Sequence, residues 1–199
     1  MSDTSGFKLL VVGSSLGGMT ALVQLLGRLP EDFFLPVVAV QHLAPSTESQ
    51  LAEILNRHIA LQVKEAEEKE SISASTVYLA PPNYHLLVET DLTFTLTLDE
   101  LVNYARPAID VLFETAAEAC GPAVIGIVMT GANSDGAKGL SHIKQKGGWT
   151  MVQEPSTAQS KAMPDAAVKT AKPDLVLPID AITDWLLALH TTQKRRTLV

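Results

Sequence analysis

Residues 11–18 read VVGSSLGG, so two hydroxyls sit inside a glycine turn directly after an apolar run. A serine hydroxyl is a weak nucleophile. It attacks a carbonyl when a neighbouring neutral imidazole takes its proton, and a buried carboxylate then fixes the imidazole tautomer and stabilises its positive charge. The sequence supplies both partners in comparable places. Gln41-His42 closes the apolar run PVVAVQ (36–41), and Thr130-Gly131-Ala132-Asn133-Ser134-Asp135-Gly136 follows AVIGIVM (123–129). Glycines beside the serine let backbone N–H groups approach a reacting carbonyl oxygen, and a helix beginning there favours developing negative charge. Ser15 is therefore the candidate nucleophile, with His42 and Asp135 as its partners. Ser14, one residue earlier, is expected to point back toward the sheet. The expected geometry puts Ser15 within hydrogen-bond reach of His42 and Asp135 beside the other ring nitrogen.

Each element also has a plainer reading. A glycine-rich turn after a first strand can cradle a phosphate or merely join strand to helix, a lone histidine is commonly structural, and Asp before Gly commonly caps a turn. Gly13-Ser14-Ser15-Leu16-Gly17 matches the G-x-S-x-G elbow of α/β-hydrolases, but those enzymes run Ser, acid, His along the chain. Here the order is Ser15, His42, Asp135. The later His142 falls in a predicted helix and His190 ends the last one, so neither replaces His42. A nucleotide- or phosphate-binding module remains the competing class, although the turn lacks the lysine of a P-loop.

The elements that must position these residues follow from hydrophobic patterning. KLLVV (8–12), PVVAVQ (36–41), AVIGIVM (123–129), WTMVQ (149–153) and DLVLP (174–178) read as buried strands. Helices are expected over 17–28, from about Thr47 to His58, and from about Ala181 to Leu189, with His142 and Cys120 in further helical segments. Strands alternating with helices imply βαβ crossovers, and continuously apolar strands imply a sheet covered on both faces. The fold class is therefore α/β, a doubly wound and mostly parallel sheet. Its sites belong at the carboxyl ends of the strands, where all three candidate residues fall. TVYLAPP (76–82), YHLLVE (84–89) and LTFTLTL (92–98) lack intervening helices, which predicts an antiparallel hairpin appendage over about 76–98. EAEEKE (65–70) reads as a solvated connection. No linker-like stretch divides the 199 residues, so one domain with a core over about 8–190 is expected.

Composition narrows the function. The formal net charge of −7 argues against a general nucleic-acid or anionic-membrane binder. No apolar run approaches the ~20 residues that span a bilayer, and the N-terminus lacks a signal-peptide pattern, so a cytoplasmic protein without membrane insertion is expected. The single cysteine, Cys120, rules out an internal disulfide and reads as a buried, inert thiol. Lys194-Arg195-Arg196 reads as a solvated basic tail. Arg106 is expected to pair with Asp110 across one helical turn, and His85 to be structural within the hairpin.

Over about residues 8–180 the chain resembles the catalytic domain of the chemotaxis receptor protein-glutamate methylesterases, the CheB type. The resemblance rests on GSSLGG (13–18), VQHL (40–43), VYLAPPNYHL (77–86), RPAIDVLF (106–113), MTGANSDGAKGL (129–140) and MPDAAV (163–168), in that order. It implies that Ser15, His42 and Asp135 hydrolyse glutamyl γ-methyl esters on the cytoplasmic helices of methylated chemoreceptors, releasing methanol. It also implies possible action on receptor glutamines, and neither reaction needs a metal or an organic cofactor. The family commonly carries an N-terminal receiver domain; this catalytic domain is expected to stand alone without one, with a separate regulatory protein as the source of control. Leu16 stands where threonine is common and Ala132 where methionine is frequent. A homologue that binds receptors with impaired catalysis is the alternative that these two departures leave open.

Overall fold

The computed structural model describes residues 6–42 and 50–197. Seven parallel strands form one sheet: β1 (Leu9–Ser14), β2 (Val37–Gln41), β3 (Gln62–Glu65), β4 (Thr76–Leu79), β7 (Val124–Val128), β8 (Trp149–Gln153) and β9 (Leu175–Leu177). Their spatial order is β3-β4-β2-β1-β7-β8-β9. A separate antiparallel pair joins β5 (His85–Val88) to β6 (Phe94–Thr97). The chain winds outward from β1 in one direction, then returns to β7 on its other flank. That reversal opens a crevice beyond the carboxyl ends of β1 and β7, the place where open α/β sheets build sites.

The central strands are buried along their whole length, which is why they read as unbroken apolar runs. Successive side chains alternate faces. Leu10 and Val12 join one core with α1 (Gly18–Leu26), α2 (Leu51–Asn56) and α6 (Ile179–Thr197). Leu9 and Val11 join the opposite core with α3 (Ile109–Cys120), α4 (Ala137–Gln145), α5 (Ala162–Ala171) and the hairpin. The sheet is thus covered on both faces, as the patterning required.

Three local readings change. Residues 76–79 do not belong to the hairpin: β4 pairs in parallel with both β2 and β3. The crossover from β3 to β4 is irregular rather than helical, and a missing helix had suggested an antiparallel turn. The connection expected over 65–70 gives up Glu65 to β3, an edge strand in which polar Gln62, Lys64 and Glu65 accompany one buried residue, Val63. The last helix extends through the basic cluster to Thr197, and Lys194 pairs with Asp32. Cations at a helix C-terminus oppose its partial negative charge, which favours helix over tail. The expected start of the second helix at 47–49 lies outside the described residues.

Cys120 is half-buried, and burial pushes its thiol pKa up, with Lys8 opposing. The thiolate is disfavoured accordingly.

α3 and α4 cross at Gly139. A Cβ there would sit 2.6 Å from Phe113 Cβ and 3.0 Å from the Asp110 carbonyl oxygen, both of which are held in the core. Gly139→Ala should therefore destabilise the fold by about 1–3 kcal/mol. At roughly 2–4 °C per kcal/mol for a chain of this size, a melting curve should show a Tm lower by about 3–10 °C; an unchanged Tm would show that the crossing relaxes freely.

Candidate active site

The carboxyl end of β1 is joined to that of β2 by a buried polar joint. Ser14 is fully buried and donates its hydroxyl to Gln41 Oε1 at 2.7 Å, confirming that it faces inward. The Gln41 amide then donates to the Ser15 carbonyl at 2.7 Å and to the His42 carbonyl at 2.8 Å. One glutamine side chain thereby fixes the backbone on which both candidate residues stand. Gly18 makes room for it, since a Cβ there would lie 1.8 Å from Gln41 Oε1. Gly17, with φ +82°, takes the left-handed turn that starts α1.

Ser15 is half-buried, and its amide donates to Thr130 O at 2.9 Å, tying the turn to the loop after β7. The Leu16 and Gly17 amides donate to no partner among the described residues. They follow Ser15, the candidate nucleophile, at a helix N-terminus, the arrangement that suits an oxyanion.

Asp135 is fully buried at the start of the loop's return into α4. Its Oδ2 accepts from Ile109 N at 2.7 Å and from His42 Nε2 at 2.9 Å. Its Oδ1 accepts from Asn103 Nδ2 at 2.9 Å, Gly136 N at 3.0 Å and Asp110 N at 3.1 Å. The two amides at 109 and 110 open α3, so this carboxylate also meets the positive end of a helix. Burial by itself raises the Asp135 pKa, but the hydrogen bonds from His42, Ile109, Asn103 and Asp110 outweigh it and hold the carboxyl below its ordinary value.

An ionised carboxylate only accepts, so the His42 proton resides on Nε2. A second contact assigns the same tautomer. Asn133 Oδ1 accepts the Asp135 amide at 3.1 Å, which turns Asn133 Nδ2 toward His42 Nδ1 at 3.4 Å. Nδ1 therefore carries the lone pair and is the basic nitrogen. Asp135 and His42 are brought together. Ser15 and His42 line one cleft of about 350 Å³, but no hydrogen bond links them. The expected Ser15–His42 contact is not made in this structure, and the Asn133 amide faces the nitrogen it would use.

Other residues fall differently from the sequence reading. Arg106 does not pair with Asp110. Its guanidinium donates to the carbonyls of Leu98 and Asp99 and to Asn83 Oδ1, closing one wall of the cleft. Asp110 faces inward instead, accepting from Gly139 N and Asn103 Nδ2. Burial, assisted by the neighbouring Asp135 charge, pushes the Asp110 pKa up. His85 is buried and structural: Nδ1 accepts from Ala108 N and Nε2 faces Glu100 O. His142 pairs with Glu118 on the surface, away from the cleft. Gln41, Asn103 and Asn133 are the site residues that reading the sequence for reactive groups passed over. Gln41 had a signal, a polar residue ending an apolar strand; Asn103 had none.

A family profile described as CheB methylesterase matches residues 10–186. The chain belongs to the CheB methylesterase family. A Leptospira interrogans relative, provisionally named protein-glutamate methylesterase/protein-glutamine glutaminase, is 45% identical over 92% of this chain and 95% of its own. A Nocardioides protein named for the same two activities is 43% identical over 87% of this chain, which spans 48% of that longer protein. The crystal structure of the Thermotoga maritima CheB methylesterase catalytic domain superposes with a TM-score of 0.87 at 34% identity, covering 92% of this chain and 98% of that one. CheB methylesterases are hydrolases, and the α/β architecture is theirs. Among the described residues no group of three His, Cys, Asp or Glu side chains could hold a metal ion, and no helix is long and apolar enough to cross a membrane.

The lowered Asp135 pKa links this site to stability. Ionised Asp135 stabilises the fold in full above its ordinary pKa of 3.8, and that contribution is lost as pH falls below 3.8 through the lower folded value. Asp135→Asn turns an amide N–H toward donors and should cost about 2–4 kcal/mol near neutrality. Urea unfolding at pH 7 and at pH 3 should show the gap between natural protein and variant narrowing at the lower pH. A gap independent of pH would mean that Asp135 is not ionised in the fold.

Proposed function

We propose that Ser15, His42 and Asp135 hydrolyse glutamyl γ-methyl esters on chemoreceptor helices, in the cytoplasm where those helices lie. The observation that carries the reading is the His42 tautomer: Nε2–H points to a buried, acceptor-only Asp135, and the Nδ1 lone pair faces the cleft that Ser15 shares. The names of the relatives supply the substrate class, and the site supplies a route.

With an ester in the cleft, the serine hydroxyl displaces the Asn133 amide from Nδ1. Ser15 Oγ attacks the ester carbon while Nδ1 takes its proton. The carbonyl oxygen becomes an oxyanion facing the Leu16 and Gly17 amides at the head of α1, and ionised Asp135 stabilises the doubly protonated imidazole. Collapse breaks the acyl C–O bond, and Nδ1 gives its proton to the departing methoxide, which leaves as methanol. Water then loses a proton to Nδ1 and attacks the acyl-serine; the acyl C–Oγ bond breaks, Nδ1 returns the proton to Ser15 Oγ, and glutamate is freed. A receptor glutamine follows the same course with ammonia as the leaving group. The Leu16 side chain is exposed and the step needs only its backbone N–H, so the change from threonine preserves that donor.

Methanol release from methylated chemoreceptor membranes tests the proposal. Ser15→Ala should lower the rate by at least about a thousandfold, and Asp135→Asn by about ten thousandfold if its loss of tautomer control follows that of other serine triads. Release that survives Ser15→Ala would remove Ser15 from the mechanism.

A further inference from the structure

The large hydrophobic side chains exposed among the described residues are Leu16, Met19, Tyr84, Leu98, Leu101 and Tyr104. They are not scattered. Leu101 and Tyr104 line the Ser15–His42 cleft, and Leu16 and Met19 line an adjoining hollow that shares Ser15, Gln41 and His42 with it. Leu98 lies on the segment whose carbonyl Arg106 holds, and Tyr84 follows Asn83 in the cleft wall. An apolar set gathered round a reactive centre marks a contact surface rather than chance exposure.

Tyr104 stands out within this set. Val102 and Ala105 exchange backbone hydrogen bonds of 3.1 and 2.9 Å, closing a turn whose central residues Asn103 and Tyr104 have φ of +52° and +62°. A two-residue hairpin turn with both φ positive suits Asn first and Gly second. An aromatic residue in the second position is disfavoured, and Tyr104 gains nothing inside the protein to compensate, being 99% exposed. The turn is nonetheless held in place. Asn103 Nδ2 binds Asp110 at 2.8 Å and Asp135 at 2.9 Å, so the carboxylate that orients His42 also anchors the tyrosine at the cleft mouth.

We propose that the turn at 102–105 reads the protein substrate: Tyr104 and Leu101 in the cleft, with Leu16 and Met19 in the adjoining hollow, take apolar side chains flanking the ester on a helical segment. This rests on Ser15 being the nucleophile. A helix is the occupant because, among the described residues, the strand that leads into the serine offers no free edge to an extended peptide. β1 lies at the sheet centre between β2 and β7, and the outer edge of β6 is bonded to Lys69 and Glu70 and bridged to Ser71. A helix satisfies its own backbone and presents residues three and four positions from the ester on the same face.

Tyr104→Gly tests this without threatening the fold, because glycine suits the left-handed position. Two substrates are compared: methylated chemoreceptor membranes, read by methanol release, and p-nitrophenyl acetate, read by absorbance. The ratio of receptor to small-ester kcat/KM should fall about tenfold or more in Tyr104→Gly, and Tyr104→Phe should keep most of it. Leu101→Ser should lower the same ratio. A ratio unchanged in Tyr104→Gly overturns the proposal, as does an equal loss on both substrates, which would assign the turn to support of Asp135 alone. If the natural protein releases neither methanol from the membranes nor p-nitrophenol from the small ester in a Ser15-dependent way, the mechanism fails and this inference fails with it; Ser15→Ala run alongside separates that case from the others.

Discussion

The buried carboxylate of Asp135 is the group through which this site and its scaffold are one structure. Removing a carboxylate from water is expensive unless its oxygens are fully engaged. Here five donors arrive from four places: His42 after β2, the first turn of α3, the Asn103 turn, and the carboxylate's own loop. None of these segments is adjacent to another in sequence except 103 and 109–110. The same charge therefore docks α3 against the loop after β7 and sets the imidazole tautomer. Stability and the proposed chemistry are not separable at this residue.

The second joint is Ser14–Gln41, and it explains why the turn bearing Ser15 holds its shape without a hydrogen bond from the His42 side chain. Parallel register puts Ser14 opposite Gln41. Their hydrogen bond leaves the Gln41 amide free to grip the carbonyls of residues 15 and 42. The switch in strand order supplies the remaining partner, since β7 lies on the other flank of β1 and delivers its loop to the same crevice. Glycine at 18 is a consequence of the joint, because any larger side chain would occupy the space of the glutamine head group.

How much of this was legible in the sequence follows from which interactions are local. Ser15 and His42 directly follow apolar strands and Asp135 lies in the glycine-containing loop after a third, so strand patterning placed all three at the carboxyl ends of the sheet strands. Asn103 gave no such sign. Its role depends on a turn brought to Asp135 by the packing of α3, and nothing near residue 103 encodes that distance. The expected Arg106–Asp110 pair failed for a related reason. Helical spacing describes neighbours within a helix, but α3 begins at Ile109, which leaves Arg106 outside it to bind loop carbonyls. β3 went unread and β4 was assigned to the hairpin because an edge strand with a short irregular crossover lacks both the buried run and the helix by which parallel strands are recognised.

The two partners of His42 divide its work by their strength. Asp135 holds Nε2 with a charge, in a buried place, at 2.9 Å. Asn133 faces Nδ1 with a neutral amide at 3.4 Å, near the surface. A charge-assisted bond is roughly twice as strong as a neutral one, and length weakens the neutral one further. In the proposed reaction the imidazole is thus fixed firmly at the nitrogen that keeps its proton and loosely at the nitrogen that accepts one. A serine hydroxyl can replace the amide at little cost, whereas nothing entering the cleft can replace the carboxylate. That inequality makes the resting arrangement compatible with attack even though Ser15 and His42 are not yet bonded, and it follows from placing the acid in the core and the amide at the cleft.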